Sequence, residues 1–232
     1  VAISPDTKNI VWSVADGISL PKNLVIYSND GGNSFNLVKI SECEDNNFKV
    51  FSDRVDSDLF YGFTEKGNFF VSHDKGASFE LVDTNDSFKG VHFGLIDTAN
   101  KTEIRVESGK TGVIYLACNS KGLWKLEYSK ETKKAVTSQL TEDGDIVYRL
   151  GLGLLKEGAD YFKSNKAIYI CAKIDGEYGF YRSFDDGKTY ERINTEKQMY
   201  GEINSLDADK RTFGRFFIAT GSRGVLYGEP KK

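Results

Sequence analysis

The stretch "SNDGGNSF", Ser28–Phe35, decides the fold because its pattern returns twice along the chain. It reappears as "SHDKGASF" at Ser72–Phe79 and as "SFDDGKTY" at Ser183–Tyr190, so the common form is Ser-x-Asp-x-Gly-x-Ser/Thr-aromatic. We call these three stretches the boxes. The first two begin 44 residues apart, a spacing close to the period of β-propeller blades.

Each box predicts a tight turn between two strands. The short Asp carboxylate is placed to accept backbone N–H bonds across the turn, and Gly supplies a positive φ. The Ser is expected to tie the incoming strand to the turn, and the aromatic residue to begin the outgoing strand on its core face. A calcium loop needs several oxygen ligands in succession, whereas a box supplies one or two carboxylates. We therefore predict a structural role for Ser28, Asp30, Gly32, Ser72, Asp74, Gly76, Ser183, Asp185 and Gly187.

The sequence between the boxes consists of short apolar runs rich in β-branched and aromatic residues, such as "NLVIYS", "VIYLAC" and "RFFIAT". Such runs predict many short strands. "YRLGLGLLKEGADYF" around Leu150 has room for a helical turn, but its glycines disfavour a helix. We predict an all-β fold, a β-propeller of about five four-stranded antiparallel blades in a single domain over residues 1–232. The blades are expected at residues 1–42, 43–84, 85–141, 142–195 and 196–230.

Composition and charge exclude several classes of protein. Hydrophobic residues make up 39% of the 232 residues and charged residues 28%, which is typical of a globular chain. The 31 Lys and Arg against 34 Asp and Glu argue against nucleic-acid and membrane partners, which both call for a basic excess. No apolar stretch reaches the roughly 20 residues of a membrane span. The first residues lack the charged region and the long apolar region of a signal peptide. A mature secreted chain or a fragment has the same appearance, so the compartment stays open on this ground.

No constellation predicts catalysis, a metal or a cofactor. Cys43, Cys118 and Cys171 are odd in number and form no Cys-x-x-Cys, which disfavours a disulfide framework and a zinc site. The acidic groups, Glu142 to Asp145 and Asp207 with Asp209, are interpreted as solvated surface. His73 and His92 have no Ser or Cys at the spacing of a nucleophilic motif.

A binding surface is easier to support, because a propeller gathers loops at one end of its axis. The residues expected there begin the innermost strands or are candidate exposed aromatics: Asp53, Arg54, Lys89, His92, Arg149, Tyr178, Tyr200, Glu202 and Asn204. For Asp53 with Arg54 the alternative is a structural ion pair between blades. Trp12 and Trp124 lie in strand-like runs and are interpreted as core. Mixed charge with Tyr and Arg suits a protein partner at least as well as a glycan.

The boxes match the Asp-box motif of sialidases, sortilin-type receptors and several plant-wall hydrolases. "AIYICAKIDGEYGFYRSFDDGKTYERIN", residues 167–194, resembles the closing part of glycoside hydrolase family 74, the xyloglucan-cleaving enzymes. "SDRVDSDLFYGF" at Ser52–Phe63 resembles another segment of that family. The resemblance implies two propellers that face each other across a cleft, with one catalytic Asp from each.

The chain also departs from the family pattern. The Gly-Asp-x-x-Gly-Phe segment, which carries the second catalytic Asp in the family, is absent, and glycosidase chemistry requires two positioned carboxyl groups. Where the family closes with Asp-Asp-x-x-His-Gln-Tyr-Gly-Asn, this chain has "NTEKQMYGE", Asn194–Glu202. The missing segment argues against catalysis by this chain alone. The change at Asn194–Glu202 falls in a loop near the face where sugar is expected to bind, and it weakens the case for retained substrate contacts.

Three functional hypotheses follow from the resemblance. The first is a non-catalytic extracellular module that holds a protein partner, such as a docking module, or a β-glucan such as xyloglucan. The second is the C-terminal part of a xyloglucanase whose catalytic residues lie elsewhere. The third is a sortilin-like receptor, against which the scarcity of cysteine counts.

Overall fold

The structure is a computed structural model that describes residues 1–13, 24–41, 43, 48–64, 66–88, 91 and 102–230. These residues form five β-sheets and contain one short 3-10 turn, Glu196–Gln198, with no α-helix. The all-β fold and the series of about five antiparallel sheets are therefore confirmed. No helix within the described ranges is long and apolar enough to cross a bilayer.

Sheets 1 and 2 come first in the chain. Sheet 1 is antiparallel and follows chain order, with β1 (Ala2–Ile3), β2 (Ile10–Ser13), β3 (Val25–Ser28) and β4 (Asn36–Leu37). Sheet 2 contains β5 (Lys39–Ile40), β6 (Phe48–Ser52), β7 (Phe60–Thr64), β8 (Phe69–Ser72) and β9 (Ser78–Val82). Its order is β5-β9-β8-β7-β6, in which β6 to β9 pair antiparallel and β5 runs parallel to β9.

The remaining sheets also follow chain order. Sheet 3 contains β10 (Glu103–Val106), β11 (Val113–Ala117), β12 (Leu123–Ser129) and β13 (Lys134–Gln139). Sheet 4 contains β14 (Ile146–Leu154), β15 (Lys166–Ile174), β16 (Glu177–Ser183) and β17 (Glu191–Arg192). Sheet 5 contains β18 (Ile203–Ala208), β19 (Phe216–Thr220) and β20 (Val225–Gly228). Within the described chain, sheet 5 thus has three strands where a blade is expected to have four.

The chain divides into two compact units. Unit 1 comprises Val1–Lys101, Val106–Val113 and Leu126–Thr137, and unit 2 comprises Thr102–Arg105, Ile114–Lys125 and Ser138–Lys232. Sheets 1 and 2 lie in unit 1, sheets 4 and 5 lie in unit 2, and the strands of sheet 3 contribute residues to both. The single domain and its blade boundaries stay predictions.

Each unit has an aromatic core. In unit 1 the ring of Phe48 meets Phe70 and Phe79 edge to face, with centroids 5.4 and 5.2 Å apart. In unit 2 the ring of Tyr169 stacks on Phe216 at 5.8 Å. Burying one such ring stabilises a fold by about 1.5–3 kcal/mol. The ring contacts in unit 1 lie within sheet 2, whereas the stack in unit 2 joins sheet 4 to sheet 5.

The stretch around Leu150 contains no helical turn. Its first half lies in the nine-residue strand β14, which is buried along most of its length, and the rest forms bends and turns. Its glycines serve close packing against β18. A Cβ on Gly151 would lie 2.7 Å from the Cα of Asp207, and a Cβ on Gly153 would lie 2.7 Å from the Cβ of Ala208. The glycines that argued against a helix therefore let sheets 4 and 5 approach each other.

The box turns have the predicted hydrogen bonds. In the second box the Ser72 hydroxyl donates to Asp74 Oδ1 at 2.8 Å and accepts from the Gly76 N–H at 2.9 Å. Asp74 also accepts from the backbone N–H of Ser78 at 2.9 Å and from its hydroxyl at 2.7 Å. Lys75 and Gly76 have φ of 64° and 88°, so the turn uses the left-handed region at both positions.

The other two boxes repeat this pattern. Asp30 accepts from Ser28 and twice from Ser34. Asp185 accepts from Ser183 and twice from Thr189. These hydrogen bonds, from the Thr189 hydroxyl first, lower the pKa of Asp185 to about 2. All three carboxylates are therefore held ionised by their own turns.

The aromatic residue of the box is on the core side in only part of the repeat. Phe79 is fully buried beside Phe48, as predicted. Phe35 is 42% exposed, so the prediction is wrong for the first box. There the outgoing strand is β4, which is only two residues long and exposed at both positions, so it does not carry the ring into a core.

Candidate functional site

The predicted binding residues fall into separate parts of the structure. Asp53 and Arg54 lie in unit 1. Five others lie in unit 2: Arg149, Tyr178, Tyr200, Glu202 and Asn204. Lys89 and His92 lie outside the described residues. Within unit 2 the structure brings these five residues together, and they define the candidate site.

Asp53 is fully buried and its carboxylate is used inside the fold. Oδ1 accepts from the N–H groups of Val55 and Asp56, both at 2.8 Å. Oδ2 accepts from the Tyr61 hydroxyl at 2.6 Å and from the Gly112 N–H at 2.9 Å. With four donors and no exposed surface, this carboxylate has no access to a ligand. We therefore leave Asp53 out of the candidate site.

Arg54 is exposed beside Asp53, but the two residues form no ion pair with each other. The structural alternative raised for this pair is thus half right. Asp53 is structural, through hydrogen bonds to backbone and tyrosine rather than through its neighbour. Arg54 keeps its predicted binding role only as a prediction.

Arg149 holds the backbone of the candidate site in place. It lies near the start of β14 and is buried. Its Nε donates to the carbonyl of Asn204 at 3.0 Å and its Nη1 donates to the carbonyl of Tyr148 at 2.6 Å. The planar guanidinium therefore joins the start of β14 to the start of β18. Arg149 acts as a positioning residue, because it is buried and two of its five N–H donors hold backbone carbonyls.

Tyr178 supports the same segment from sheet 4. Its hydroxyl donates to the Gly201 carbonyl at 3.4 Å and lies 3.2 Å from Cys171 Sγ. Its ring is 6.0 Å from that of Tyr148. Burial raises the pKa of the Cys171 thiol to about 11 and also raises the pKa of Tyr178. Both groups are neutral near pH 7, so the thiol is no nucleophile.

Residues 200–204, which we call the rim segment, are the exposed part of the site. The Glu202 carbonyl accepts the Gly221 N–H at 3.0 Å, which adds a third attachment to those from Arg149 and Tyr178. The side chains of Glu202 and Asn204 are exposed, and Tyr200 is half-buried with its ring 6.4 Å from Phe180. A fixed backbone thus presents one aromatic ring, one carboxylate and one amide.

Two residues behind the site were missed by sequence reasoning. Glu103 accepts the Leu150 N–H at 2.9 Å and pairs with Arg105, which donates to the Leu206 carbonyl at 3.3 Å. Burial raises the pKa of Glu103, although the positive charges of Arg105 and Arg149 oppose the rise. The signal was the alternation of charge in the strand "EIRV", where a half-buried Glu needs a partner.

A groove in unit 2 lies next to the rim segment and was also not predicted. Its volume is about 780 Å³, and its lining comes from β16, β17 and the segment after β17 on one side, and from β19 and β20 on the other. Its apolar side chains include Phe180, Tyr200, Phe216, Leu226 and Tyr227. Polar groups such as Asn194 and Lys197 line it as well.

Two interpretations of single residues need correction. Asp145 is buried, not solvated, because it accepts the Asp175 N–H at 3.0 Å and the Glu142 N–H at 3.1 Å. Trp12 is 43% exposed on β2 and is not core, since it points to the face of sheet 1 opposite Val11. Trp124 is half-buried. The described residues contain no cluster of His, Cys, Asp and Glu able to hold a metal ion.

Comparison with known proteins gives the context of the site. No protein-family profile matches the chain. It is 34% identical over 232 residues to xyloglucanase Xgh74A of Acetivibrio thermocellus, covering 99% of this chain and 24% of that protein. It is 32% identical over 235 residues to a xyloglucanase of Paenibacillus sp, covering 99% of this chain and 20% of that protein. The chain thus spans about a quarter or less of these relatives.

Solved structures agree with these relatives. The GH74 xyloglucanase of Xanthomonas campestris matches with a TM-score of 0.75 at 27% identity, covering 99% of this chain and 29% of that chain. The β-propeller domain of Myceliophteria thermophila Cps50 (Swd1) matches with a TM-score of 0.56 at 6% identity, covering 91% of this chain and 64% of that domain. The second match shows the fold alone. The resemblance to glycoside hydrolase family 74 and the β-propeller fold are confirmed.

Proposed function

We propose that this homologue of the GH74 xyloglucanases is an extracellular β-glucan-binding module that holds xyloglucan at the rim segment and supplies no catalytic acid pair. The observation that carries the proposal is the fixed presentation of Tyr200, Glu202 and Asn204 on a backbone held by Arg149 and Tyr178. The names of the relatives indicate the substrate class.

The chemistry of the rim segment suits a sugar. The apolar face of a pyranose ring stacks on an aromatic side chain, and Tyr200 offers such a face. Carboxylate and amide groups beside the ring are able to accept from, and donate to, sugar hydroxyls. Because the backbone is already fixed by three hydrogen bonds, little ordering entropy is lost on binding.

The proposal of binding without catalysis rests on the carboxylates in and beside the rim segment. An acid and a base on opposite sides of the scissile bond are required for glycoside hydrolysis. In the rim segment one carboxylate, Glu202, is exposed. Behind it, Glu103 is occupied by the Leu150 N–H and by Arg105. This arrangement supports binding rather than acid and base catalysis.

Calorimetric titration with xyloglucan oligosaccharides tests the proposal. Tyr200→Ala and Glu202→Ala are each expected to weaken binding about tenfold, equivalent to about 1.4 kcal/mol. Lys188→Ala, in the exposed turn of the third box, is the matched control and leaves affinity unchanged. Absence of binding by the folded chain, or equal affinity in all three variants, contradicts the proposal.

A second candidate is that the chain forms part of an active xyloglucanase whose catalytic carboxylates lie in other regions of a longer protein. The observation that favours it is the share of the relatives that the chain covers, 24% and 20%. Release of reducing ends from xyloglucan separates the two. The isolated chain is expected to release none, while a longer form with activity supports the second candidate. Binding of a docking protein at the rim segment, with no binding of glycan, favours the scaffold hypothesis instead.

A further inference from the structure

The turn that follows β9 contains an acceptor pattern that neither the boxes nor the candidate site uses. Asn85, Asp86 and Ser87 form Asn-x-Ser without proline, the pattern at which an oligosaccharide is joined to asparagine in secreted chains. We propose that Asn85 is an N-glycosylation site, which receives an oligosaccharide from a lipid pyrophosphate carrier. The proposal rests on the extracellular location in the proposed function, because the transferring enzyme meets chains that are being exported.

The backbone of this turn places Asn85 at the surface. The Ser87 N–H donates to the Thr84 carbonyl at 3.1 Å, and the Asn85 N–H donates to Asp83 Oδ1 at 2.8 Å. Asn85 and Asp86 have φ of 52° and 58°, so both lie in the left-handed region that Asn and Asp tolerate. Both are exposed, whereas Thr84 is buried. The turn is therefore anchored at its first residue and presents Asn85 to solvent.

The side-chain amide of Asn85 is available for reaction. Among the described residues this amide has no hydrogen-bond partner, and Asn85 bonds only through its backbone. By contrast, the amide nitrogen of Asn33 donates to the Asp30 carbonyl at 2.6 Å, and that of Asn194 donates to the Thr195 carbonyl at 3.3 Å. The positive φ explains why asparagine is tolerated at position 85, but it does not explain why the amide is left unused. That amide nitrogen is the group to which the oligosaccharide is joined.

The transfer is a substitution at the anomeric carbon of the oligosaccharide. The Asn85 nitrogen forms a bond to that carbon, the bond from the carbon to the pyrophosphate oxygen breaks, and the lipid pyrophosphate leaves with the electron pair. One of the two amide protons passes to a base of the transferring enzyme, so the product keeps one N–H and nothing is oxidised or reduced. The enzyme recognises the asparagine by the hydroxyl two residues later.

Ser87 supplies that hydroxyl, and in the folded chain the hydroxyl is engaged. Its Oγ lies 2.6 Å from Oγ1 of Thr137 on β13. Transfer to the exported chain before this contact forms leaves the Ser87 hydroxyl free for the enzyme, and the finished fold then carries the glycan on the exposed side of the turn. Because either hydroxyl can be removed by itself, the role of the pattern can be separated from the role of the contact.

The test secretes the whole chain from a yeast, behind the leader peptide of that host. Trypsin releases Asn85 within residues 76–89. The other Asn-x-Ser/Thr stretch begins at Asn100, outside the described residues, and that asparagine is released separately within residues 90–101. Mass spectrometry of residues 76–89 is expected to show an attached oligosaccharide. Treatment with a peptide-N-glycosidase in heavy-oxygen water is expected to remove it and to leave a labelled aspartate at position 85.

Four variants separate the acceptor pattern from the fold. Asn85→Asp tolerates the same positive φ but has no amide, and Ser87→Ala has no hydroxyl, so each is expected to lower the occupancy of position 85 at least about tenfold. Ser87→Thr keeps a hydroxyl and is expected to keep the glycan. Thr137→Ala breaks the same contact as Ser87→Ala but leaves the pattern intact, so its occupancy is expected to match the wild type. Thermal unfolding of each variant verifies that it is folded.

The outcomes are distinct. Occupancy that follows the acceptor pattern across the wild type and the four variants supports the proposal. Residues 76–89 that stay unmodified in the secreted wild type overturn it, and so does a glycan that survives Ser87→Ala or is lost in Thr137→Ala. Xyloglucan titration of the same preparations is a separate measurement on the rim segment. Absent xyloglucan binding with an occupied Asn85 therefore rejects the proposed function alone, and an unmodified Asn85 with intact binding rejects the glycosylation site alone.

Discussion

Replacing Asp74 by alanine is the sharpest test of the box turns. The substitution removes acceptors for the Ser72 hydroxyl, the Ser78 N–H and the Ser78 hydroxyl, at 2.8, 2.9 and 2.7 Å. A hydrogen bond to a charged group contributes about 1.5–3 kcal/mol when its partner is left without a substitute. Ser78 is partly exposed, so water replaces two of the three bonds in part. We expect the free energy of unfolding to fall by about 2 kcal/mol.

The matched control is Asp74→Asn, which keeps one oxygen acceptor for the Ser78 N–H and loses the charge. We expect it to cost about half as much as the alanine variant. Urea unfolding of the three proteins measures the difference, provided that the slope of the free energy against urea is unchanged. A cost below about 0.5 kcal/mol for Asp74→Ala refutes the structural role, and so does lost glycan binding at unchanged stability.

The pH dependence gives an independent check of the same turn. Burial alone raises the pKa of Asp74, but the hydrogen bonds from Ser78 and Ser72 outweigh it, so the pKa is lowered overall. A lowered pKa in the folded state contributes stability above the unfolded value of about 3.9, and this contribution is lost as pH falls through the folded pKa. The advantage of the wild type over Asp74→Ala is therefore expected to shrink below about pH 4. A difference that stays constant from pH 7 to pH 3 contradicts this account.

Three further predictions concern other positions. Gly76 has a φ of 88°, and the Cβ added by Gly76→Ala would lie 2.1 Å from Val11 Cγ2. We therefore expect this variant to lose more than about 2 kcal/mol of unfolding free energy, measured by thermal unfolding. Gly31→Ala, with φ of 71° and open space, is expected to lose only about 1 kcal/mol, and equal losses refute the steric argument. Asp53→Ala leaves four donors without their acceptor, of which the Tyr61 hydroxyl and the Gly112 N–H are buried, and it is expected to lower the free energy of unfolding by about 3–5 kcal/mol. A denaturant melt within about 1 kcal/mol of wild type contradicts this. The folded chain alone is expected to release no reducing sugar from xyloglucan, and release abolished by Glu202→Gln refutes this.

The box turns were predictable because their partners are local. Asp74 and Ser78 are four residues apart, so residue type and spacing define the hydrogen bonds before any tertiary contact forms. The strands followed from β-branched and aromatic runs for the same reason, including β14, where glycine argued against helix. The family resemblance drew on the same local motifs.

The candidate site was only partly predictable because its contacts are distant in sequence. Arg149 reaches the Asn204 carbonyl across 55 residues, and Asp145 is covered by Asp175 across 30. The buried carboxylate of Asp53 accepts a hydrogen bond from Gly112, 59 residues away. Such long-range partners decide whether a charged residue at the end of a strand faces solvent or the interior. The neighbouring residues in the sequence carry no information about these partners.

The parallel pairing of β5 with β9 has a consequence for how this chain changes in evolution. After sheet 1, the chain pairs with β9 of sheet 2. The Lys39 N–H donates to the Ala77 carbonyl at 3.0 Å, and the Ser41 N–H donates to the Phe79 carbonyl at 3.1 Å. A repeat whose edge strand is hydrogen-bonded to a segment of its neighbour cannot be exchanged independently of that neighbour. Deletion of sheet 1 together with β5 removes this pairing and exposes the edge of β9, so the fold is preserved when the first two sheets are inherited together.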